Sequence, residues 1–127
     1  MQPENNQVLE IQKSLLAEPT KQAMLEWQKH ANENLYRLVL VLVPRKRYVE
    51  DIGHYPDYYL QVKTFLNSHA IEYVDLIERF REERLAAQGL YWEHDSHFNE
   101  TGNLAVGRIL ADWCHRNHCV PSVGGGG

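Results

Sequence analysis

The sequence predicts an α/β fold in which a short parallel sheet is flanked by helices. Two helical segments, a strand, a helix, a second strand and two further helices follow one another along the chain. Both strand candidates are rich in β-branched residues, and the alternation is typical of doubly wound sheets with right-handed crossovers. Because a sheet of two or three strands cannot cover both faces of a buried strand, further strands are expected from elsewhere or from a partner.

The N-terminal segment contains the first two predicted helices. Apolar residues at positions 8, 11, 15 and 16 have near-helical spacing, and Pro19 ends that helix or begins the next. A second helix is expected from Thr20 to about Asn32, because three apolar residues there recur at intervals of three and four. They are Met24, Trp27 and Ala31. We therefore predict that residues 1–34 form a helical segment that packs on the sheet.

Two apolar runs are the predicted strands. Residues 35–43 form a continuous run closed by Pro44, and continuity without alternation indicates a strand buried on both faces. The second run covers residues 71–77. Between the two, a helix is expected to begin at Pro56 and to continue until His69. Its apolar stripe comprises Leu60, Phe65 and Leu66.

Two more helices are expected after the second strand. Residues 78–88 are charged and helical in pattern, and Gly89 suits the C-terminal cap. The last helix is predicted to begin at about Asn103, a good N-cap residue, and to bury one face. That face comprises Val106, Ile109, Leu110 and Trp113. Residues 120–127 end in four glycines and are expected to form a flexible tail.

Composition limits the function classes. The chain has 127 residues, of which 43% are hydrophobic and 24% charged, with a net charge of −4, and these values describe a globular chain. Lys and Arg residues are scattered along the chain and predict no positively charged patch for phosphate backbones, so nucleic acid is not expected as a partner. The one basic run, at 45–47, is expected to be a solvated loop. The longest apolar stretch, at 38–43, is too short to span a bilayer, and the N-terminus lacks the features of an export signal. The native compartment stays open, and no cofactor is implied.

Three segments together carry a family resemblance. They are the strand that ends in Pro44, the strand near residues 70–76, and Asp-Ser-His-Phe-Asn-Glu-Thr-Gly-Asn at residues 95–103. They resemble the C-terminal half of the SGNH (GDSL-like) hydrolases, which are serine esterases with a flavodoxin-like three-layer fold. The resemblance implies that residues 35–119 form part of such a domain, with His97 as general base and Asp95 as its acid partner. The implied substrate is an acyl or acetyl ester of a small molecule or a carbohydrate.

An acid beside a histidine has a clear chemical role in such enzymes. A serine hydroxyl is a weak nucleophile until an imidazole takes its proton, and a carboxylate fixes the imidazole tautomer and stabilises the imidazolium. Many family members space this pair Asp-x-x-His, and His94 occupies the acid position here, so Glu93 is the second candidate acid. Asn99 and Gly102 are expected to serve turn chemistry. The flanking aromatic residues, expected in the core, are Phe98 and Trp92.

The nucleophile that the family would supply is absent from the sequence. The family carries it in a Gly-Asp-Ser turn after the first strand, and none of the four serines has a strand-turn-helix setting. They are Ser14, Ser68, Ser96 and Ser122. We therefore expect the C-terminal portion of an esterase, inactive alone, that supplies the Asp/His part of the triad. A natural truncated relative, and a site completed by another chain, stay open.

Two other function classes also stay open. A metal-binding domain is suggested by two groups of potential ligands, although their spacing does not match common zinc motifs. These groups are His94, Asp95 and His97, and Cys114, His115, His118 and Cys119. The incomplete sheet, with its expected exposed edge, suggests instead a non-catalytic interaction module that self-associates. His54 has no partner in sequence and is expected in a loop.

Overall fold

The computed structural model describes residues 16–50 and 57–119. Several expectations fall outside the described residues. They are the first helix as far as residue 15, the helix start at Pro56, the loop position of His54, the tail at 120–127, and the serines Ser14 and Ser122.

Helices and strands alternate in the described part as the sequence predicts. The elements are α1 (Glu18–Glu33), β1 (Val39–Leu42), α2 (Lys46–Glu50), α3 (Asp57–Ser68), β2 (Glu72–Asp75), α4 (Leu76–Glu82), a 3-10 helix (Leu85–Gln88) and α5 (Glu100–Arg116). β1 and β2 pair as a parallel two-stranded sheet flanked by helices, so the predicted α/β class is confirmed at this level. Among the described helices, none has the length and apolar character needed to cross a membrane.

The chain divides into two compact units. The first holds the described residues of Met1–Val41 and Gly53–Tyr73, and the second holds those of Leu42–Ile52 and Val74–Gly127. The first contains α1 and α3, whereas the second contains α2, α4, the 3-10 helix and α5. The predicted domain limits at residues 34 and 119 stay predictions.

The first unit has an apolar core supplied mainly by α1 and α3. Its buried residues are Leu16, Met24, Ala31, Tyr59, Val62, Leu66 and Ile71. Trp27 is 52% exposed, so its predicted place in the buried stripe of α1 is wrong, and that stripe is narrower than predicted. Leu60 is also exposed, because the buried face of α3 runs along positions 59, 62 and 66.

Polar side-chain contacts join segments of the first unit that are distant in sequence. Gln28 Nε2 donates to His69 O at 2.7 Å, which ties α1 to the end of α3. Arg37 donates to both carboxylate oxygens of Glu72, at 2.7 and 2.6 Å. This bidentate contact lowers the pKa of Glu72, because the guanidinium stabilises the carboxylate.

β1 is shorter and less buried than the sequence predicts. Leu42 is its buried member, whereas Val41 and the following Val43 are exposed. The expectation of a strand buried on both faces is therefore wrong for the described residues, in which β2 is the one strand that pairs with β1. Leu35 does not belong to the strand, because it lies in the C-terminal cap of α1.

Three helices end in the same cap without glycine. Leu35 follows α1, Ala70 follows α3 and His118 follows α5, with φ of 58°, 53° and 56°. In each cap the next amide bonds back across the turn, as Tyr36 N–H does to Ala31 O at 3.1 Å. This is a Schellman cap, in which glycine is usual because the left-handed conformation costs other residues roughly 1–2 kcal/mol. The caps therefore set the helix ends at the cost of local strain.

Asp75 ends β2 and begins α4. Its Oδ1 accepts the backbone N–H groups of Ile77 and Glu78, at 3.0 and 3.2 Å, as an N-cap does. The last two residues of the predicted second strand therefore belong to α4. The predicted long helix after it is divided into α4 and the separate 3-10 helix. Gly89 ends the latter with φ of 67°, as predicted.

α5 begins earlier than the sequence predicts. Asn99 is the N-cap residue and accepts Gly102 N–H at 2.9 Å, so the assignment of that role to Asn103 is wrong. Ile109 is fully buried as expected, and the other members of its predicted face are half-buried. The buried core of the second unit comprises Leu42, Val49, Val74, Leu76, Ile77, Phe80, Leu85, Leu90, Tyr91, Ala105 and Ile109.

Candidate functional site

The candidate site is a hairpin loop in the second unit, between the 3-10 helix and α5. Tyr91 and Phe98 form an antiparallel bridge at its base. Trp92 N–H donates to His97 O at 3.1 Å, and Asp95 N–H donates to Trp92 O at 3.4 Å. The residues between the bridged pair are exposed. The loop therefore presents its polar side chains to solvent from a hydrogen-bonded base.

The side chains of Tyr91 and Lys46 attach this loop to the segment that follows β1 through three hydrogen bonds. The buried Tyr91 hydroxyl donates to Pro44 O at 2.8 Å. Lys46 Nζ donates to Trp92 O at 2.9 Å and to Glu93 O at 2.7 Å. Lys46 is half-buried in the first turn of α2, so the expectation of a solvated loop is wrong for this residue, whereas Arg45 before the helix and Arg47 are exposed. The loop thus lies at the carboxyl end of β1, where ligands bind in parallel α/β sheets.

Asn99 and Gly102 close the loop against α5. Asn99 Nδ2 donates to Gly89 O and Tyr91 O, at 2.8 and 3.2 Å, and its N–H donates to Leu90 O at 3.0 Å. A Cβ on Gly102 would lie 2.0 Å from Leu90 O, so α5 can start here only with glycine at this position. The expected turn chemistry of Asn99 and Gly102 is confirmed by these contacts.

Asp95 and His97 contact each other directly. Asp95 Oδ1 forms a hydrogen bond with His97 Nδ1 and also accepts the His97 backbone N–H at 2.8 Å. The backbone contact folds the carboxylate toward the ring, so a spacing of two residues is sufficient. The His97 side chain is 86% exposed and that of Asp95 51%. Among the described residues none forms a hydrogen bond with Nε2, the atom that accepts the serine proton in a Ser-His-Asp triad.

The pKa of Asp95 lies below the ordinary range of an aspartate. The largest cause is the hydrogen bond from the His97 backbone N–H, followed by that from the His97 ring, and the Lys46 ammonium adds a smaller attraction. Asp95 is therefore an anion at neutral pH. In that state it can accept Nδ1–H and hold the imidazole in one tautomer.

The other polar residues of the loop do not join this pair. Glu93, the second candidate acid, lies 3.9 Å from His94 Nε2, and both side chains are almost fully exposed. Ser96 is exposed in the loop, and Ser68 Oγ donates to Phe65 O at 2.9 Å. Within the described residues, no serine forms a hydrogen bond with His97.

Phe98 and Trp92, the aromatic residues near the Asp95–His97 pair, differ in burial. Phe98 is half-buried, and its ring centroid lies 4.7 Å from that of Tyr91 and 6.1 Å from that of Phe80. It therefore joins the core as expected. Trp92 is 54% exposed, so its expected core position is wrong. The exposed indole follows from its place on the solvent side of the loop, next to the bridge.

The described residues do not assemble a metal site. In residues 16–50 and 57–119, no three His, Cys, Asp or Glu side chains converge in a way that could hold an ion. Cys114 and Cys119 are half-buried and form no disulfide in the part of the chain that the structure describes, and Cys119 N–H donates to Cys114 O at 2.9 Å. The metal hypothesis gains no geometric support from them.

The sequence did not predict the hydrogen bonds by which Lys46 and Tyr91 hold the loop. Pattern alone gives no signal for Lys46, because its two acceptors are backbone carbonyls far along the chain. Tyr91 carried a weak signal, since a buried tyrosine hydroxyl usually finds a hydrogen-bond partner.

In comparisons with models of protein families, with curated proteins and with solved structures, no match to this chain was found. The family resemblance therefore depends on the residues quoted above.

Proposed function

We propose that this chain is the C-terminal portion of an SGNH-type esterase and supplies the acid and base of a Ser-His-Asp triad. The observation that carries the proposal is the contact between Asp95 and His97 Nδ1, on a loop fastened at the carboxyl end of β1. In a triad the carboxylate holds the Nδ1–H tautomer, and Nε2 is left to take the serine proton. Because Asp95 contacts Nδ1 of His97, Nε2 remains available to take a proton.

The proposed roles follow from this geometry. His97 Nε2 accepts the proton of a serine hydroxyl as the serine oxygen attacks the carbonyl carbon of an acyl or acetyl ester. Asp95 stabilises the resulting imidazolium, which then gives its proton to the departing alcohol. Water hydrolyses the acyl-enzyme with the same base. The serine and the oxyanion donors come from a segment outside this sequence, which also completes the flavodoxin-like three-layer fold.

The first experiment uses the chain as it stands. We expect no turnover of p-nitrophenyl acetate and no labelling by a serine-directed fluorophosphonate, because the Asp/His pair has no serine to activate. Mass spectrometry of the treated chain would detect a labelled residue. Labelling of any serine in this sequence would contradict the assignment of the nucleophile to another segment.

The second experiment uses the whole polypeptide encoded by the natural gene. We expect ester hydrolysis, with the fluorophosphonate on a serine outside these residues. His97→Ala should lower kcat by roughly 10⁶-fold, and Asp95→Asn by roughly 10⁴-fold, as in other triads. His94→Ala is the matched control, because His94 is exposed in the same loop and should leave kcat unchanged. Equal activity of the His94→Ala and His97→Ala variants would refute the proposal.

A second candidate function is a non-catalytic interaction module. It is favoured by the two-stranded sheet, in which each strand of the described part has one edge without a strand neighbour, and by the exposure of Val41 and Val43. This function requires concentration-dependent self-association. Light scattering that finds a monomer over a wide concentration range would exclude it and leave the esterase proposal unaffected.

A further inference from the structure

The second unit contains a cavity of about 370 Å³ between α2, α4 and the 3-10 helix. Its apolar wall is formed by three buried side chains, Val49, Ile77 and Phe80. Small-molecule sites have volumes of roughly 300–1,000 Å³ and mostly apolar linings. The cavity therefore has the size and lining of a site for a small organic molecule.

Two arginines give this apolar cavity a cationic rim. Arg81 is half-buried, Arg84 is exposed, and both line the cavity. In the described part of the chain, the Arg84 guanidinium forms no hydrogen bond and no ion pair, and no described lining residue is acidic. An unpartnered guanidinium beside apolar walls favours a ligand with an anionic end and an apolar body, because the planar donor group matches a carboxylate.

The backbone at Arg84 offers a way to separate folding from binding. Arg84 follows α4 in the left-handed conformation, with φ of 54° and ψ of 41°. Leu35, Ala70 and His118 share this conformation, so the strain does not by itself mark a site. Glycine adopts it without steric cost. A change to glycine should therefore remove the cation and ease the backbone at the same time.

We propose that this cavity binds a small aliphatic carboxylic acid. The aliphatic chain lies against Val49, Ile77 and Phe80, and the carboxylate pairs with the guanidinium of Arg84. The proposal does not depend on the Asp95–His97 pair or on the esterase function.

Calorimetric titration with octanoate and with the isosteric neutral octanamide tests the proposal. Octanoate should bind more tightly than octanamide, because only the acid can pair with Arg84. Arg84→Gln should weaken octanoate binding by about tenfold or more and leave octanamide binding unchanged. Arg116→Gln is the matched control, because Arg116 lies in α5 and pairs with Asp112. Equal binding of acid and amide, or no binding of octanoate, would overturn the proposal.

Two further variants test the position of the ligand. Arg84→Gly should bind octanoate as weakly as Arg84→Gln while unfolding at a higher denaturant concentration, a combination that a folding defect would not produce. Ala87→Phe places a ring at the exposed end of the cavity lining and should abolish binding of both probes. Retained octanoate binding in Ala87→Phe, with unchanged circular dichroism, would show that the acid binds elsewhere.

Discussion

Replacement of Gly102 by alanine tests how the loop and α5 are joined. A Cβ at this position would lie 2.0 Å from Leu90 O and 2.9 Å from Phe98 Cδ1. The first contact involves a backbone atom, which cannot rotate away. α5 would have to move from the loop, and this movement would stretch the bond from Asn99 N–H to Leu90 O and the N-cap contact at 2.9 Å.

The magnitude follows from three opposing effects. Forced overpacking costs about 1–3 kcal/mol, and a lost N-cap costs about 1 kcal/mol. Alanine is a better helix former than glycine and returns about 1 kcal/mol. Because the lost cap and the gained helix propensity nearly cancel, we expect Gly102→Ala to lower the free energy of unfolding by about 1–3 kcal/mol. Gly107 lies in the same helix, and a Cβ there would meet no atom within 4 Å, so Gly107→Ala should gain up to about 1 kcal/mol.

Urea unfolding followed by far-UV circular dichroism measures both variants against the unmodified chain. The two alanine variants should differ by about 2–4 kcal/mol with opposite signs, although both make the same change in one helix. Amide exchange should also quicken across residues 91–99 in Gly102→Ala alone. If the two variants have equal stability, the close approach of α5 to Leu90 is not a structural requirement.

Three further predictions concern a cap, a hydrogen bond and a titration. Leu35→Gly should raise the free energy of unfolding by about 0.5–1 kcal/mol in urea, because Leu35 is 94% exposed and strained, whereas Leu35→Ala should not. Tyr91→Phe should cost about 1–2 kcal/mol in the same assay, because Pro44 O loses its buried donor. NMR titration should give Asp95 a lowered pKa that persists in part in His97→Ala, because the backbone N–H, its largest single cause, remains in the variant. The stability from these bonds is present above the ordinary aspartate pKa and is lost as pH falls through the lowered value.

Local sequence signals account for part of the fold and of the loop. Asp75 with Glu78 three residues later matches a capping-box pattern, which predicts the helix start that a simple count of apolar residues placed too late. Asn99 with Gly102 carries comparable information for the start of α5. The direct contact of Asp95 with His97 is also local, since the two lie close together in sequence. Side chains that bond to nearby backbone groups are therefore the predictable part of the site.

Contacts distant in sequence account for what could not be predicted. Lys46 reaches carbonyls that lie 46 and 47 residues along the chain, and nothing in its basic run indicates them. The burial of β1 depends likewise on how many strands surround it, which its own composition does not specify. Val41 of β1 is therefore exposed, although the apolar run around it is typical of a central strand.

The contact between Asp95 and His97 requires a test that separates orientation from ordinary turn formation. An aspartate often accepts a backbone N–H two residues later, so the bond to His97 N–H could serve the turn alone. The bond to Nδ1 has no such use, and it should hold the ring in the Nδ1–H tautomer. Nitrogen-15 shifts of the His97 ring should therefore report this tautomer at a pH where the ring is neutral. Asp95→Asn should move the population toward Nε2–H, because the amide can donate to Nδ1; identical spectra would show that Asp95 does not orient His97.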